Sequence, residues 1–261
     1  MVKVSWCIVL AIFLVPWLVG CSDGDAEIKE GLAALRSGQE AMQTDLLALR
    51  TEVAVLKERI PEPRKPRRPV EDVSITIKID GAPTRGSAGA RWVLVEYTDY
   101  QCPFCARHAR QGVQKLLVDY VAGGKLRYIL KDFPLTAIHP QAAKAAEAAH
   151  CAGAQQKYWV YHDRLFENQR TLAPAQLLEH AGALGLDLVV FKACLDGGDF
   201  AYRVRAGLAE GQKAGVVGTP TMLLGRLSED GGSVRAVKRL RGALPFEIIK
   251  AILDEALGEA G

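Results

Sequence analysis

The stretch "WVLVEYTDYQCPFCARHARQ", residues 92–111, runs from an apolar segment straight into two cysteines separated by Pro103 and Phe104. "WVLVEY" (92–97), rich in β-branched and aromatic residues, reads as a buried strand. Proline is favoured at the first position of a helix, so the chain after it reads as a helix from about Pro103 to Val121. Cys102 then sits at the strand-to-helix junction, its sulfur facing unpaired backbone N–H groups and the positive end of the helix dipole. Both stabilise a thiolate and lower its pKa, which makes Cys102 the attacking sulfur. Cys105, one turn on, is near enough to resolve a mixed disulfide, and its burial should hold its pKa higher. A pair whose reduced form is stabilised in this way has an oxidising disulfide.

The same spacing admits a metal site or an inert staple. Cys102, Cys105 and His108 offer three ligands on one helical turn, but a closed zinc site takes a fourth, usually from a second paired motif that is not evident. Haem attachment of the c type requires His directly after the second cysteine, where Ala106 stands. A structural bridge is unusual at the end of an apolar strand with a proline inside it. His108 reads as a helix-surface residue. The sequence therefore calls for no metal and no cofactor.

Outward from this stretch the grammar is α/β. "VSITIKI" (73–79) alternates as an edge strand should, and "GAPTRGSAG" (81–89) is a turn-rich loop. "KLRYILKDF" (125–133) is a second core strand. Alanine-rich helical segments fill 139–214, interrupted by Gly182, Gly185 and "DGGD" (196–199). "TPTMLLG" (219–225) and "SVRAVKRL" (233–240) form a closing hairpin with a turn near Asp230-Gly231-Gly232, and "PFEIIKAILDEAL" (245–257) is a last amphipathic helix. The expected head is an α/β sheet over 71–258 with a helical insertion at about 138–200.

The N-terminal part has another character. "MVKVSWCIVLAIFLVPWLVGC" (1–21) has a basic start at Lys3 and an apolar run from Val4 to Val19, short for a membrane span, as in a secretory signal. "LVGC" resembles a bacterial lipobox, which makes residues 1–20 a signal peptide and Cys21 the lipidated residue. Ser22 after it leans toward the outer membrane. Residues 28–60 carry heptads: Ile28, Leu35, Met42, Leu49 and Leu56 in one series, Leu32, Gln39, Leu46, Val53 and Ile60 in the other. Nine of these ten positions are apolar, which argues for a coiled-coil stalk over 21–60 and self-association through 28–60. "PEPRKPRRP" (61–69) ends the helix and reads as an extended, semi-rigid spacer, the linker of residues 61–70.

Composition bounds the function. With 33 Lys and Arg against 30 Asp and Glu, a formal charge of +3 gives no case for a nucleic-acid surface. An exported chain sits where disulfides persist, so Cys151 and Cys194 in the helical block are candidates for a structural bridge, with two isolated thiols as the alternative. Cys7 lies in the signal segment.

"VEYTDYQCPFCARH", "KDFPL", "AAHCAGAQQKYWVYHDRLF" and "GVVGTPTMLLG" together resemble the DsbA-like branch of the thioredoxin superfamily, over most of Val73 to Leu257. The resemblance implies a thioredoxin-like fold with an inserted helical domain. It implies an exposed nucleophile at Cys102, a buried resolving cysteine at Cys105, a buried acid at Glu96 and a cis-proline turn at Thr219-Pro220 that binds substrate backbone. A carboxyl inward on that strand should have a raised pKa and accept a proton from Cys105. The implied activity is thiol:disulfide exchange on exported proteins, with an extracytoplasmic partner to reset the cysteines. Thr219 before the proline, and an oligomerising stalk, resemble isomerases and reductases of the superfamily, so that direction stays open beside oxidation. A non-enzymatic lipoprotein with a peptide- or metal-binding head is the third reading.

Overall fold

Residues 22–59, 68–79 and 81–258 are described by a computed structural model of the chain. They fall into two units divided after residue 66, each taken by itself below. Cys21, the expected signal segment, Ile60 and most of the proline-rich linker lie outside the described residues.

The first unit is one helix, Ser22–Arg59, continuous through Gly31 and Gly38. Its 38 residues span about 57 Å at the α-helical rise. Both heptad series are open to solvent from Ile28 to Leu56, Leu35 at 72%.

The second unit is built on a six-stranded sheet of order β1-β6-β5-β3-β4-β2. Its strands are β1 (Val70–Lys78), β2 (Thr84–Arg85), β3 (Trp92–Thr98), β4 (Leu126–Asp132), β5 (Thr221–Leu227) and β6 (Ser233–Arg241). β3 and β4 run parallel and the other neighbours antiparallel. β1 is an edge strand whose Val73, Ile75 and Ile77 alternate inward, as its sequence period requires. β3 is central and buried along its whole length, so its apolar run shows no alternation.

The alternation reappears in what each residue meets. Val93, Val95 and Tyr97 join a core on one face with Ile77, Ile129, Phe133 and Leu223. Leu94 joins the other core with Tyr128, Leu130, Met222 and Leu224, beneath the cysteine helix, the helical block and the final helix Phe246–Gly258. Glu96, two residues on, faces this second core as well.

Five helices follow β4: Ala142–Ala154, Tyr158–Glu167, Pro174–Ala183, Leu188–Gly197 and Ala201–Lys213. Asp187 caps the fourth by accepting from the Val189 and Val190 amides, and Gly198, at φ 68°, ends it in the left-handed region. The fifth lies against the sheet end: a Cβ at Gly207 would meet the Asp132 carbonyl at 2.8 Å, and one at Gly211 the Phe133 ring at 2.6 Å. Only glycine allows so close an approach.

Cys151 and Cys194 are joined in a disulfide, their Cα atoms 5.9 Å apart, tying the first of these helices to the fourth. Closing a 43-residue loop is worth about 4 kcal/mol by chain entropy. The double substitution Cys151→Ala/Cys194→Ala is expected to lower unfolding stability by about that amount in a denaturant titration. A change below about 1 kcal/mol would contradict a load on this bridge.

Candidate redox site

Cys102 is the residue before the helix, extended at φ −71° and ψ 119°, with Pro103 opening the first turn. The helix covers 103–121 as Pro103–His108, a wide π-helical turn Ala109–Val113, a short α stretch Gln114–Leu116 and a second wide turn Leu117–Val121. A plain helix was expected here. The first wide turn coincides with the His108 ring lying over Gly112, where a Cβ would stand 2.6 Å from Nδ1.

Asp99 holds the turn before the cysteines. One carboxylate oxygen accepts from the Gln101 amide at 2.7 Å and the Cys102 amide at 3.2 Å. The other accepts from the Leu135 amide at 2.8 Å and lies 2.9 Å from His139 Nδ1. From the helical block, the Gln169 side-chain amide donates to the carbonyls of Tyr100 and Cys102. Sequence reasoning missed both. For Asp99 the signal was available, an Asx-type residue three before a helix-opening Cys-Pro; Gln169 had none, because it arrives from another part of the chain.

The Thr219–Pro220 peptide is cis, and this turn lies against the cysteines. The Cys102 thiol donates to the Thr219 carbonyl at 3.4 Å. Cys102 is 4% exposed, whereas the resemblance implies an exposed nucleophile, while Phe104 beside it is 54% exposed. The Thr219 contact and the Gln169 strap account for the difference. Both cysteines are free thiols in this structure.

Their acidities are driven apart. The hydrogen bond from the Cys105 thiol brings Cys102 down to about 6 against the push of burial, helped by the Thr219 hydroxyl and the amides of Cys105 and Phe104. Burial pushes Cys105 well up, and the neighbouring Cys102 and Glu96 add to it.

Glu96 is buried, at 1% exposure, and accepts a hydrogen bond of 2.6 Å from the Tyr128 hydroxyl. His108 is not on the surface: its side chain is buried with Nε2 3.4 Å from the Glu96 carboxylate. That contact lacks hydrogen-bond alignment, so charge is the larger part of the coupling. Burial raises the Glu96 pKa, but the His108 charge, the hydrogen bond from Tyr128 and the His162 charge outweigh it and leave the value below that of an ordinary Glu. This corrects the expectation of a raised pKa, which considered burial and omitted the cation-forming neighbour.

Cys102, Cys105, Glu96, Thr219 and Pro220 thus converge on one end of the sheet, while Cys151 and Cys194 are apart in the helical block. Farther along the cysteine helix, a groove of about 770 Å³ between it and residues 243–246 is lined by Arg107, Arg110 and Lys115 and by Leu244, Pro245 and Phe246. A cavity of about 810 Å³ lies away from it, against β1, β4 and the helix Ala201–Lys213. Among the described residues no His, Cys, Asp and Glu group has a metal-binding arrangement, and no helix is long and apolar enough to cross a membrane.

A cysteine pair at a helix start, faced by a cis-proline turn on a mixed sheet, defines a thioredoxin-type redox fold. The thioredoxin family model matches residues 78–232, and the chain belongs to that family. The fold is that of DsbA-type proteins: BdbD of Bacillus subtilis aligns over 72% of this chain and 99% of its own, with TM-score 0.61 and 22% identity. For α-DsbA1 of Wolbachia pipientis the coverage is 70% and 94%, the TM-score 0.58 and the identity 19%. In sequence the chain is similar to the Na(+)/H(+) antiporter NhaA 3 of Salinispora tropica, 38% identical over 153 residues, 59% of this chain and 23% of that protein. The chain spans about a quarter of the length of such relatives.

A thiol with a pKa of about 6 against an ordinary 9 is ionised over the intervening pH range in the folded reduced protein but not in an unfolded one. That stabilisation of the reduced fold is lost as pH falls through 6 and fully present above 9; the disulfide form has no such group. Thiolate absorbance of the reduced protein is expected to titrate with a midpoint near 6, and Thr219→Val to raise it. A midpoint near 9 in the unsubstituted protein would contradict the geometry.

Proposed function

We propose that the protein is a membrane-tethered thiol:disulfide oxidoreductase acting on exported proteins. The observation that carries this reading is the split between the two sulfurs, Cys102 acidic at the helix start and Cys105 buried and weakly acidic one turn on. In the oxidised enzyme a client thiolate attacks the Cys102 sulfur, the Cys102–Cys105 bond breaks and Cys105 leaves with the electron pair. The second client thiolate attacks the mixed disulfide, closing the client's bond and releasing Cys102 as a thiolate. Two electrons pass to the enzyme, and an extracytoplasmic redox partner removes them.

Cys105 leaves into a site that disfavours charge, so its protonation completes the first step. Glu96 and His108, a buried carboxylate and imidazole 3.4 Å apart, are the polar groups on that side of the sheet, and Glu96 acts on the leaving sulfur through its charge. The backbone of Thr219 is offered to the client as a strand partner. Cys21 carries the lipid, on the extracytoplasmic side of the cell envelope with the outer membrane favoured, and the disulfide of the helical block is structural.

The direction of electron flow has a second reading. The acidic Cys102 favours the reduced form and hence oxidation of clients, while Thr219 before the cis-proline resembles the isomerases and reductases of the superfamily. The redox potential against glutathione separates them: oxidation predicts a value well above thioredoxin's roughly −270 mV, and a value at or below it would sink the oxidase reading.

Turnover in refolding of scrambled ribonuclease and in insulin reduction tests the reading as a whole. Cys102→Ala is expected to abolish both, and Glu96→Gln to slow turnover about tenfold while leaving client binding in place. Absence of turnover in the unsubstituted protein would favour the non-enzymatic lipoprotein, and turnover undiminished in Cys102→Ala would contradict exchange at Cys102.

A further inference from the structure

The helix Ser22–Arg59 leaves its apolar seam uncovered. Ile28, Leu35, Met42, Leu49 and Leu56 form one row and Leu32, Gln39, Leu46 and Val53 the other, and all are exposed. Rows that alternate by three and four residues are the a and d positions of a heptad, with Leu32, Gln39, Leu46 and Val53 at a. The flanking positions are then fixed. Position e holds Lys29, Arg36, Gln43, Arg50 and Lys57, and position g holds Gly31, Gly38, Asp45 and Glu52.

These flanks choose an orientation. In an antiparallel pair e faces e and g faces g, so basic side chains at e would meet one another and Asp45 and Glu52 would meet no base. In a parallel, in-register pair each g residue meets the e residue five positions later on the other chain. Asp45 then meets Arg50 and Glu52 meets Lys57, each twice by symmetry. Elsewhere in the molecule such charges pair within one helix, as Lys192 with Asp196 and Lys250 with Asp254. Asp45, Arg50, Glu52 and Lys57 are exposed and take no partner of that kind among the described residues. Gln39, the one polar member of the a row, fixes the alignment. In register it faces its own copy and can hydrogen-bond, whereas a heptad slip would set its amide against Leu32 or Leu46.

We infer that residues 28–56 pair with a second copy of this chain as a parallel, in-register coiled coil. Both chains then leave the coil at the same end, so two thioredoxin-type units are carried on one stalk. The pairing does not depend on the redox reading of the head.

The test uses the full chain in detergent with Cys102→Ser and Cys105→Ser, so that association is read without thiol chemistry at the candidate redox site. Leu32→Cys, near one end of the coil, is expected to give a disulfide-linked dimer on mild oxidation, above the level of the chain lacking it. Arg50→Glu is expected to weaken association about tenfold in sedimentation, and adding Asp45→Lys to restore it. Rescue by the second charge reversal separates lost pairing from a misfolded helix. The inference is overturned if the chain sediments as a monomer at micromolar concentration. It is equally overturned if Leu32→Cys crosslinks to Leu49→Cys in mixed chains in preference to itself.

Discussion

The chemistry rests on one constraint, the pinning of Cys102 between the first turn of its helix and the Thr219–Pro220 turn. A helix start offers amides that nothing in the helix can use, and a sulfur set among them is stabilised as a thiolate. Holding it there takes several unconnected pieces of chain: Pro103 to open the helix, Asp99 to tie the preceding turn to Leu135 and His139, and Gln169 to strap the carbonyls from the helical block. The Thr219 carbonyl closes the arrangement from the far side. The sheet serves this end: β3 delivers Cys102, and β5 begins directly after Pro220 and pairs with β3.

Below the sulfurs the second theme is a balance of burial against charge. A lone carboxyl at Glu96 would be driven toward its neutral form. With His108 at 3.4 Å and the Tyr128 hydroxyl donating to it, the balance tips to the carboxylate. Gly112 is part of this arrangement, because any side chain there would displace the His108 ring. The buried acid is therefore one member of a pair, and its proton affinity depends on a neighbour one helical turn beyond Cys105.

Much of this was legible in the residues. The apolar run 92–97, Pro103 after Cys102, and the hairpin near Asp230-Gly231-Gly232 each carry a local physical reason for their structure, and those elements form where the pattern sets them. The helical character of the middle segment follows from its alanine-rich periodicity, and two of its four breaks fall at the marked glycines, while those at 155–157 and 168–173 carry no glycine. What the pattern did not carry was contact across sequence distance. His108 looked like a surface residue because a helix position does not reveal what covers it, and Gln169 lies 67 residues from the Cys102 carbonyl it binds. The sign of the Glu96 shift failed for the same reason, since burial can be read from a strand's apolar run and a histidine neighbour cannot. The N-terminal helix is the reverse case. Its heptads are plain in the sequence, and the structure adds that the seam is exposed along its described length.

The central claim is that Cys102 is the sulfur that exchanges with clients and Cys105 the one that resolves. Its most direct measurement is a trap: Cys105→Ala protein incubated with scrambled, disulfide-bearing ribonuclease, followed by peptide mass spectrometry of any covalent adduct. The account predicts a stable mixed disulfide joining the client to Cys102 alone. An adduct through any other cysteine, or none under conditions where the unsubstituted protein turns over, would contradict it.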